Sequence, residues 1–314
     1  MKRTLTSILL FLCAFSLNAQ KLTFVPQWTA QAQFAGYYMA LEKGYYAEEG
    51  LDVFINHLKA NSSETSMDML LNGKAEIVGQ QLIQSVIARA DGVKLVNVFQ
   101  LTQESGLCCV SRTPISEPKD MDSLRVGRWK VGYADFCDML EAYMGIRVNW
   151  VPFLNGINLF IYGAVDATLC YSYSELISLD LAIGNIPEDH VIRFSNFGYE
   201  CPEDGLYVTE EYYRKNKETV DKFVKASKRG WDYVRGHREE ALEVTYKFIE
   251  ANRISTNREH QKRMLDEYLD LQVNPETGIA DYAAVKPEVF VKIVEALRNA
   301  GHIINNIEYE DLIR

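Results

Sequence analysis

The stretch from Gln27 to Val53 constrains the fold more than any other part of the chain, because it predicts two strands joined by a loop and a helix. An apolar run, Leu22 to Val25, precedes it and predicts the first strand. Apolar and aromatic residues then recur at helical spacing until Gly44 ends the pattern, and Leu51–Ile55 predicts the second strand. This order of elements is typical of an open α/β sheet, in which ligands bind beyond the carboxyl ends of the strands.

The loop after the first strand therefore holds the first candidate ligand contacts. Trp28 and Gln31 lie in this loop, and Phe34 and Tyr37 open the helix that follows. An aromatic ring can stack on a flat heteroaromatic ligand, and an amide can read its ring nitrogens and amino groups. The alternative to a ligand contact is that Trp28 plugs the upper edge of its lobe as a buried packing residue, since tryptophan is highly buried on average.

The same stretch resembles the opening of the periplasmic proteins that bind pyrimidine precursors of thiamine, a superfamily that also includes the fungal enzymes that make the pyrimidine. Its signature is D-W-T-P-N-x-x-H-x-G followed by K-G-Y-Y-x-x-x-G-L-D-V. The matching positions are Trp28, Thr29, Gly36, the run Lys43 to Tyr46, and the run Gly50 to Val53. The signature is replaced at Gln27, Ala30, Gln31 and Phe34. These replacements fall on positions that would touch a ligand.

The resemblance implies an α/β fold of the two-lobed type II periplasmic-binding-protein kind, with a ligand cleft between the lobes. It implies a first lobe made of residues 20–105 and 206–314, and a second lobe made of residues 106–205. The phrase PKDMDSLRVGRW, from Pro118, is similar to the one that opens the second lobe in these proteins. We expect the chain to cross between lobes near residues 101–112 and 199–206.

Residues 1–19 predict an export leader. Lys2 and Arg3 supply its positive charge, Leu5 to Leu17 its apolar segment, and cleavage is expected near Ala19. The alternative is a membrane anchor, but that would need about 20 apolar residues, and this run is shorter. We therefore expect a periplasmic protein that does not insert into the membrane once the leader is removed.

Net charge and cysteine content exclude further classes of protein. The formal net charge is -10, which argues against nucleic-acid binding because that function needs a basic surface. Six cysteines are present, and Cys13 would leave with the leader. The remaining five show no regular spacing, and Cys108 and Cys109 are too close in sequence to bridge each other without strain. We expect packed thiols rather than a disulfide framework.

Further candidate contacts follow later strands and lie in the two crossings. The strand predicted at Glu76 to Gly79 ends in Gln80 and Gln81, which either face the cleft or cap the next helix. Asp135 opens a predicted helix, where it is a helix cap first and a ligand contact second. The resemblance implies further contacts from the strand-end residues Tyr171, Tyr173 and Glu175 and from Tyr199 and Glu203 of the return crossing. Gln103, in the first crossing, is the last candidate.

The sequence does not predict an enzyme, a cofactor or a metal site. The fungal synthases carry a C-C-C-F-C cluster at the return crossing, where only Cys201 stands in this chain. Those enzymes consume a histidine of their own and bind pyridoxal phosphate through a lysine. His57 and Lys59 lie early in the chain, but neither lies in a matching motif. The histidines also lack the pairing of a metal-binding helix.

Three functions remain open. The first is a solute-binding subunit, expected to be monomeric, that captures a small heteroaromatic ligand such as a thiamine pyrimidine precursor for an ABC permease and its ATPase. The second is a pyrimidine-precursor synthase-like enzyme. The third is a ligand-sensing subunit that serves a membrane receptor.

Overall fold

The computed structural model describes residues 19–59, 62–129, 134–153 and 157–314. The predicted leader lies outside this part of the chain, except for Ala19. Strands are assigned as follows: β1 (Gln20–Val25), β2 (Leu51–Ile55), β3 (Ile77–Gln81), β4 (Leu95–Gln100), β5 (Leu107–Ser111), β6 (Arg125–Trp129), β7 (Asn149–Phe153), β8 (Ala167–Tyr171), β9 (Val191–Arg193) and β10 (Asp204–Thr209).

Helices alternate with the strands in the first two thirds of the chain and fill the last third. They are α1 (Ala35–Glu42), α2 (Tyr45–Glu48), α3 (Ser66–Leu71), α4 (Leu82–Ala90), α5 (Ala134–Met144), α6 (Asn158–Ile161), α7 (Glu175–Ile183), α8 (Glu210–Gly236), α9 (Arg238–Ala251), α10 (Arg258–Asp270), α11 (Pro287–Asn299) and α12 (Tyr309–Leu312).

The strands form two sheets. The first has the order β2-β1-β3-β10-β4, and the second has the order β7-β6-β8-β5-β9. In the first sheet β1 runs parallel to β2, with Gln20 opposite Leu51, as the predicted strand-helix-strand unit requires. In the second sheet β6 is parallel to β7 and β8, whereas β5 is antiparallel to β8 and β9. The architecture is therefore α/β. The second sheet is mixed, and in the first sheet β1 is parallel to both of its neighbours.

The chain divides into two compact units. The first unit contains the described residues up to Gly79 together with Val208–Ser255, and the second contains Gln80–Tyr207 together with Thr256–Arg314. The lobe boundaries predicted from the sequence, residues 20–105 with 206–314 and residues 106–205, stay a prediction.

The core of the first unit joins β1 to helices from both of its segments. The ring of Phe24 packs 4.7 Å from that of Tyr37 and 5.3 Å from that of Phe223, and Tyr37 meets Trp231 edge-on at 5.7 Å. Trp231 is completely buried in this core. The close contact of α1 with α8 requires glycine, since a Cβ added at Gly230 would lie 2.1 Å from the Gly36 carbonyl oxygen.

The second unit has a separate core on one face of its sheet. Buried residues of this core are Cys108, Val110, Phe160, Val165, Cys170 and Leu179. Within the residues that the structure describes, no helix combines the length and the apolar character needed to cross a membrane.

Candidate functional site

In the first unit, the loop Gln27–Gln33, here called the Trp28 loop, presents its tryptophan to solvent. The Trp28 side chain is 54% exposed, although its neighbours Ala30 and Ala32 are buried. A tryptophan that plugged the edge of its unit would be buried as well. The exposure favours a side chain that is available to a ligand.

A buried histidine, His57, hydrogen-bonds to the backbone of the Trp28 loop. His57 Nδ1 lies 3.0 Å from the Trp28 carbonyl oxygen, and His57 Nε2 lies 2.8 Å from the Tyr38 hydroxyl oxygen. Because a carbonyl can only accept, Nδ1 carries the proton, and in the neutral ring Nε2 accepts from Tyr38. Burial lowers the pKa of His57 to about 4, against the smaller opposing effect of the bond to Trp28. The neutral ring therefore fixes the loop at neutral pH.

The other predicted contacts of this unit differ in exposure. Gln31 is half-buried, and its amide nitrogen donates to Gln33 Oε1 at 2.5 Å. Phe34 and Tyr37 are almost fully buried, the first beside the His57 ring and the second in the core beneath α8. The structure thus brings Trp28 and Gln31 to the surface of the loop and buries Phe34 and Tyr37.

In the second unit, three aromatic rings form a continuous stack at the ends of β6 and β8. Tyr171 stacks on Trp129 at 5.3 Å and on Tyr173 at 5.2 Å. Tyr173 in turn meets Tyr268 of α10 edge-on at 5.2 Å. We call Trp129, Tyr171 and Tyr173, with the side chains of Gln81 and Glu175 that bond to them, the Tyr171 cluster.

Glu175 binds the cluster together as a hydrogen-bond acceptor. Its carboxylate oxygens lie 3.3 Å from the Trp129 indole nitrogen and 3.1 Å from the Tyr171 backbone nitrogen, both of which donate. Burial raises the pKa of Glu175, and these hydrogen bonds oppose the rise. Trp129 and Glu175 keep partial exposure, so this edge of the cluster offers an aromatic face and a carboxylate side by side.

Of the two roles considered for Gln81, the structure contradicts the helix cap. The strand predicted to end at Gly79 continues through Gln80 and Gln81, and α4 begins at once at Leu82. Gln81 occupies the cap position, but its side chain makes no capping bond and instead donates to the Tyr171 hydroxyl at 3.0 Å. The capping alternative is therefore wrong for Gln81. The Gln80 side chain accepts from the Gln81 backbone nitrogen at 3.0 Å.

The two predicted crossings are hydrogen-bonded to each other within the second unit. Glu203 accepts from the Ser105 hydroxyl at 2.6 Å and from the Gly106 nitrogen at 3.1 Å. Burial raises the pKa of Glu203 to about 8, although these two donors act in the opposite direction. The next residue, Asp204, is also buried and accepts from the Tyr268 hydroxyl.

Gln103 and Tyr199 line a cavity of about 270 Å³ in this unit, together with Ser105, Asn274 and Lys286. The Gln103 amide donates to the Ala283 carbonyl oxygen at 3.0 Å, which ties the crossing to the loop before α11.

Asp135 contacts His302, which is not part of the Tyr171 cluster. Helix α5 begins at Ala134, so Asp135 belongs to its first turn and is not its cap. Its exposed carboxylate lies 3.4 Å from His302 Nδ1. Across the described ranges, no three His, Cys, Asp or Glu side chains gather as a metal site would require.

Sequence reasoning missed Trp129 as a member of the Tyr171 cluster and Tyr268 as a residue that contacts it. Trp129 is the last residue of β6, so the rule that places ligands at strand ends could have found it. Tyr268 lies on the amphipathic helix α10, and no local pattern distinguishes it from a core residue.

The architecture is that of periplasmic binding proteins. The periplasmic aliphatic sulphonate binding protein SsuA of Escherichia coli superposes with a TM-score of 0.65 at 14% identity, covering 89% of this chain and 91% of that one. The predicted fold class, a two-lobed α/β protein of the type II kind, is thus confirmed.

The chain belongs to the NMT1/THI5 like family, whose model matches residues 31–241. It is 29% identical over 237 residues to the 4-amino-5-hydroxymethyl-2-methylpyrimidine phosphate synthase of Aspergillus parasiticus, covering 69% of this chain and 68% of the relative. It is 23% identical over 291 residues to the riboflavin-binding protein RibY of Chloroflexus aurantiacus, covering 90% of this chain and 81% of the relative. The superfamily suggested by the Trp28 motif is therefore confirmed.

Proposed function

We propose that this protein is an exported solute-binding protein that captures a small, flat heteroaromatic ligand for an ABC importer. The observation that carries the proposal is the exposed indole of Trp28 on a loop whose backbone is fixed by buried His57. An exposed indole on a fixed loop is ready to stack on a ligand without first being ordered, which lowers the entropic cost of binding.

The Tyr171 cluster supports the same ligand class independently. Trp129 offers a ring, and the neighbouring carboxylate of Glu175 is a hydrogen-bond acceptor for amino groups or protonated ring nitrogens. A pyrimidine precursor of thiamine has such groups. The fungal relatives make a pyrimidine of this kind and RibY is named for riboflavin, so both names point to nitrogen heteroaromatics.

Identification of the co-purifying small molecule tests the proposal. Protein purified without refolding is denatured, and the released molecules are identified by mass spectrometry. Calorimetric titration of ligand-stripped protein with 4-amino-5-hydroxymethyl-2-methylpyrimidine, riboflavin and an alkanesulfonate then ranks the classes. We expect the pyrimidine to bind most tightly. Tightest binding of the sulfonate would overturn the assignment of a heteroaromatic ligand. Tightest binding of riboflavin would keep that class and overturn only the assignment of a pyrimidine.

A synthase is the second candidate, since the fungal relatives carry that name. The early histidine and lysine do not fit a site for pyridoxal phosphate: Lys59 is exposed, whereas His57 is buried with both ring nitrogens bonded. We expect incubation with pyridoxal phosphate to give no internal-aldimine absorbance and no adduct after borohydride reduction. A stable adduct on Lys59 would bring the synthase function back into consideration.

A ligand-sensing subunit would use the same binding groups as an importer subunit. Neighbouring genes separate these two functions: a permease and an ATPase favour import, and a sensor kinase favours signalling.

A further inference from the structure

Two cysteines of the second unit lie directly opposite each other on neighbouring strands. Cys108 of β5 pairs with Cys170 of β8 in the antiparallel register, and their sulfur atoms are 3.3 Å apart. Directly opposed residues in such a pair have Cα atoms about 4.5–5.5 Å apart. That range falls within the roughly 4.4–6.8 Å found across disulfides. Both side chains point to the same face of the sheet, and a bond needs only a small approach of the two sulfurs.

The register singles out this pair. Cys109, the next residue of β5, is opposite Leu169 on one side and Ile192 on the other, so no cysteine faces it across either strand. Cys108 and Cys170 belong to the apolar core of the unit, beside Val110 and Leu179. The two residues are 62 positions apart, and their spacing in the sequence therefore gives no sign of the pairing.

We propose that Cys108 and Cys170 form a disulfide in the exported protein. The two thiols lose two protons and two electrons as the S–S bond forms, and the disulfide of a thiol-disulfide oxidoreductase accepts them and becomes a dithiol. Exported proteins meet such oxidants, whereas cytosolic thiols are kept reduced. The bond depends on export, but not on the identity of the ligand.

Burial determines when the bond forms. Both cysteines are inaccessible in the folded chain, and burial raises the pKa of the Cys170 thiol, so thiolate for exchange is scarce once the core has closed. Oxidation must therefore accompany folding. After that, the same core shields the bond from reductants.

Oxidative refolding tests the proposal. The chain from Gln20 onward is unfolded, refolded in a reduced and oxidised glutathione mixture, then unfolded again with iodoacetamide and without reductant. Of the five cysteines, only Cys109, Cys137 and Cys201 should be alkylated, and digestion should yield a peptide pair linked through Cys108 and Cys170. Prior reduction should restore alkylation of all five.

Single cysteine variants distinguish the Cys108–Cys170 pair from the adjacent Cys109. Cys109→Ala should keep the linked peptide, whereas Cys108→Ala and Cys170→Ala should lose it. The oxidised wild type should melt roughly 5 °C or more above its reduced form, because the bond closes a long loop. Five alkylated cysteines in correctly refolded wild-type protein would overturn the proposal even if no variant folds. So would a linked pair that contains Cys109.

Discussion

Trp28 is the residue on which the proposed binding depends most. We expect Trp28→Ala to weaken binding of the pyrimidine by about 1 to 3 kcal/mol, the scale of aromatic stacking on a flat base. Trp28→Phe should retain most of the affinity because it keeps an aromatic face. Calorimetric titration measures the affinity of each variant for the ligand. The stability of either variant should change little, since the side chain is 54% exposed.

The melting temperature separates stacking from packing. A Trp28→Ala variant that binds normally but melts several degrees lower would make the residue structural. The ligand contacts would then have to come from the Tyr171 cluster. Ligand-induced quenching of fluorescence gives a second measurement, because it should shrink in Trp28→Phe while Trp129, Trp150 and Trp231 remain.

His57 supports Trp28 and carries a pH dependence of its own. Its folded pKa of about 4 lies below the ordinary value of 6.5, so the unfolded chain binds the proton more readily. The stability contributed by the neutral ring is therefore complete above pH 6.5 and is lost as the pH falls toward 4, by up to about 3 kcal/mol. Urea unfolding at a series of pH values measures this loss.

The control is His57→Asn, whose amide can still donate to the Trp28 carbonyl but does not titrate. Its unfolding free energy should vary less between pH 6.5 and 4 than that of the wild type. An identical acid slope in the two proteins would show that another group is responsible. His57→Leu removes both hydrogen bonds, and it should weaken ligand binding more than His57→Asn does if the loop needs its anchor.

At the scale of elements, helices α1 and α8 touch through glycine. We expect Gly230→Ala to destabilise the protein by about 1 to 3 kcal/mol or more, because the new Cβ would overlap the Gly36 carbonyl oxygen and Ala40. Gly236 is the matched control: it ends the same helix and has open space around its Cα. Gly236→Ala should be neutral or stabilising by up to about 1 kcal/mol. Equal melting temperatures for the two variants would contradict this packing.

The elements were largely predictable from local patterns. Gly44 ends α1 with a φ of 73°, a conformation that favours glycine, and the alternation of LDVFI marks β2 as a strand with one buried face. The prediction of β3 ended too early because Gln80 and Gln81 are polar. Their burial depends on partners such as Tyr171, 90 positions away from Gln81, and local patterns contain no information about such partners.

The candidate site was predictable only in part, for the same reason. Trp28 and Tyr171 could be placed at strand ends by the general rule for α/β sheets. The bond from His57 to the Trp28 carbonyl and the bond from Tyr268 to Asp204 join helices, strands and loops that are distant in the sequence. The tautomer of His57 follows from its partners alone, and they become known only with the fold.

At the scale of the whole molecule, Glu203 should oppose the pH dependence of His57. Its folded pKa of about 8 lies above the ordinary value of 4.5, so the folded protein holds the proton more tightly than the unfolded chain. This contribution is complete below pH 4.5 and is lost as the pH rises through 8, at up to about 1.4 kcal/mol per pH unit. Calorimetric melting between pH 5 and 9 measures the fall.

Glu203→Gln removes the charge and keeps an oxygen that can accept from Ser105 and Gly106. The variant should lose less stability than the wild type between pH 5 and 8, and the two curves should separate as the pH rises. Parallel curves would mean that the Glu203 carboxyl ionises freely in the folded protein.

The close contact of Gly36 with Gly230 also bears on how the chain is made. The first compact unit is discontinuous: Phe24 and Tyr37 contact each other, but Phe24 also packs on Phe223 and Tyr37 on Trp231, which come from the later segment. A ribosome that has completed residues 20–79 has therefore not yet supplied the other half of that core. The amino-terminal segment therefore cannot complete this core during synthesis until the chain has been extended past Trp231.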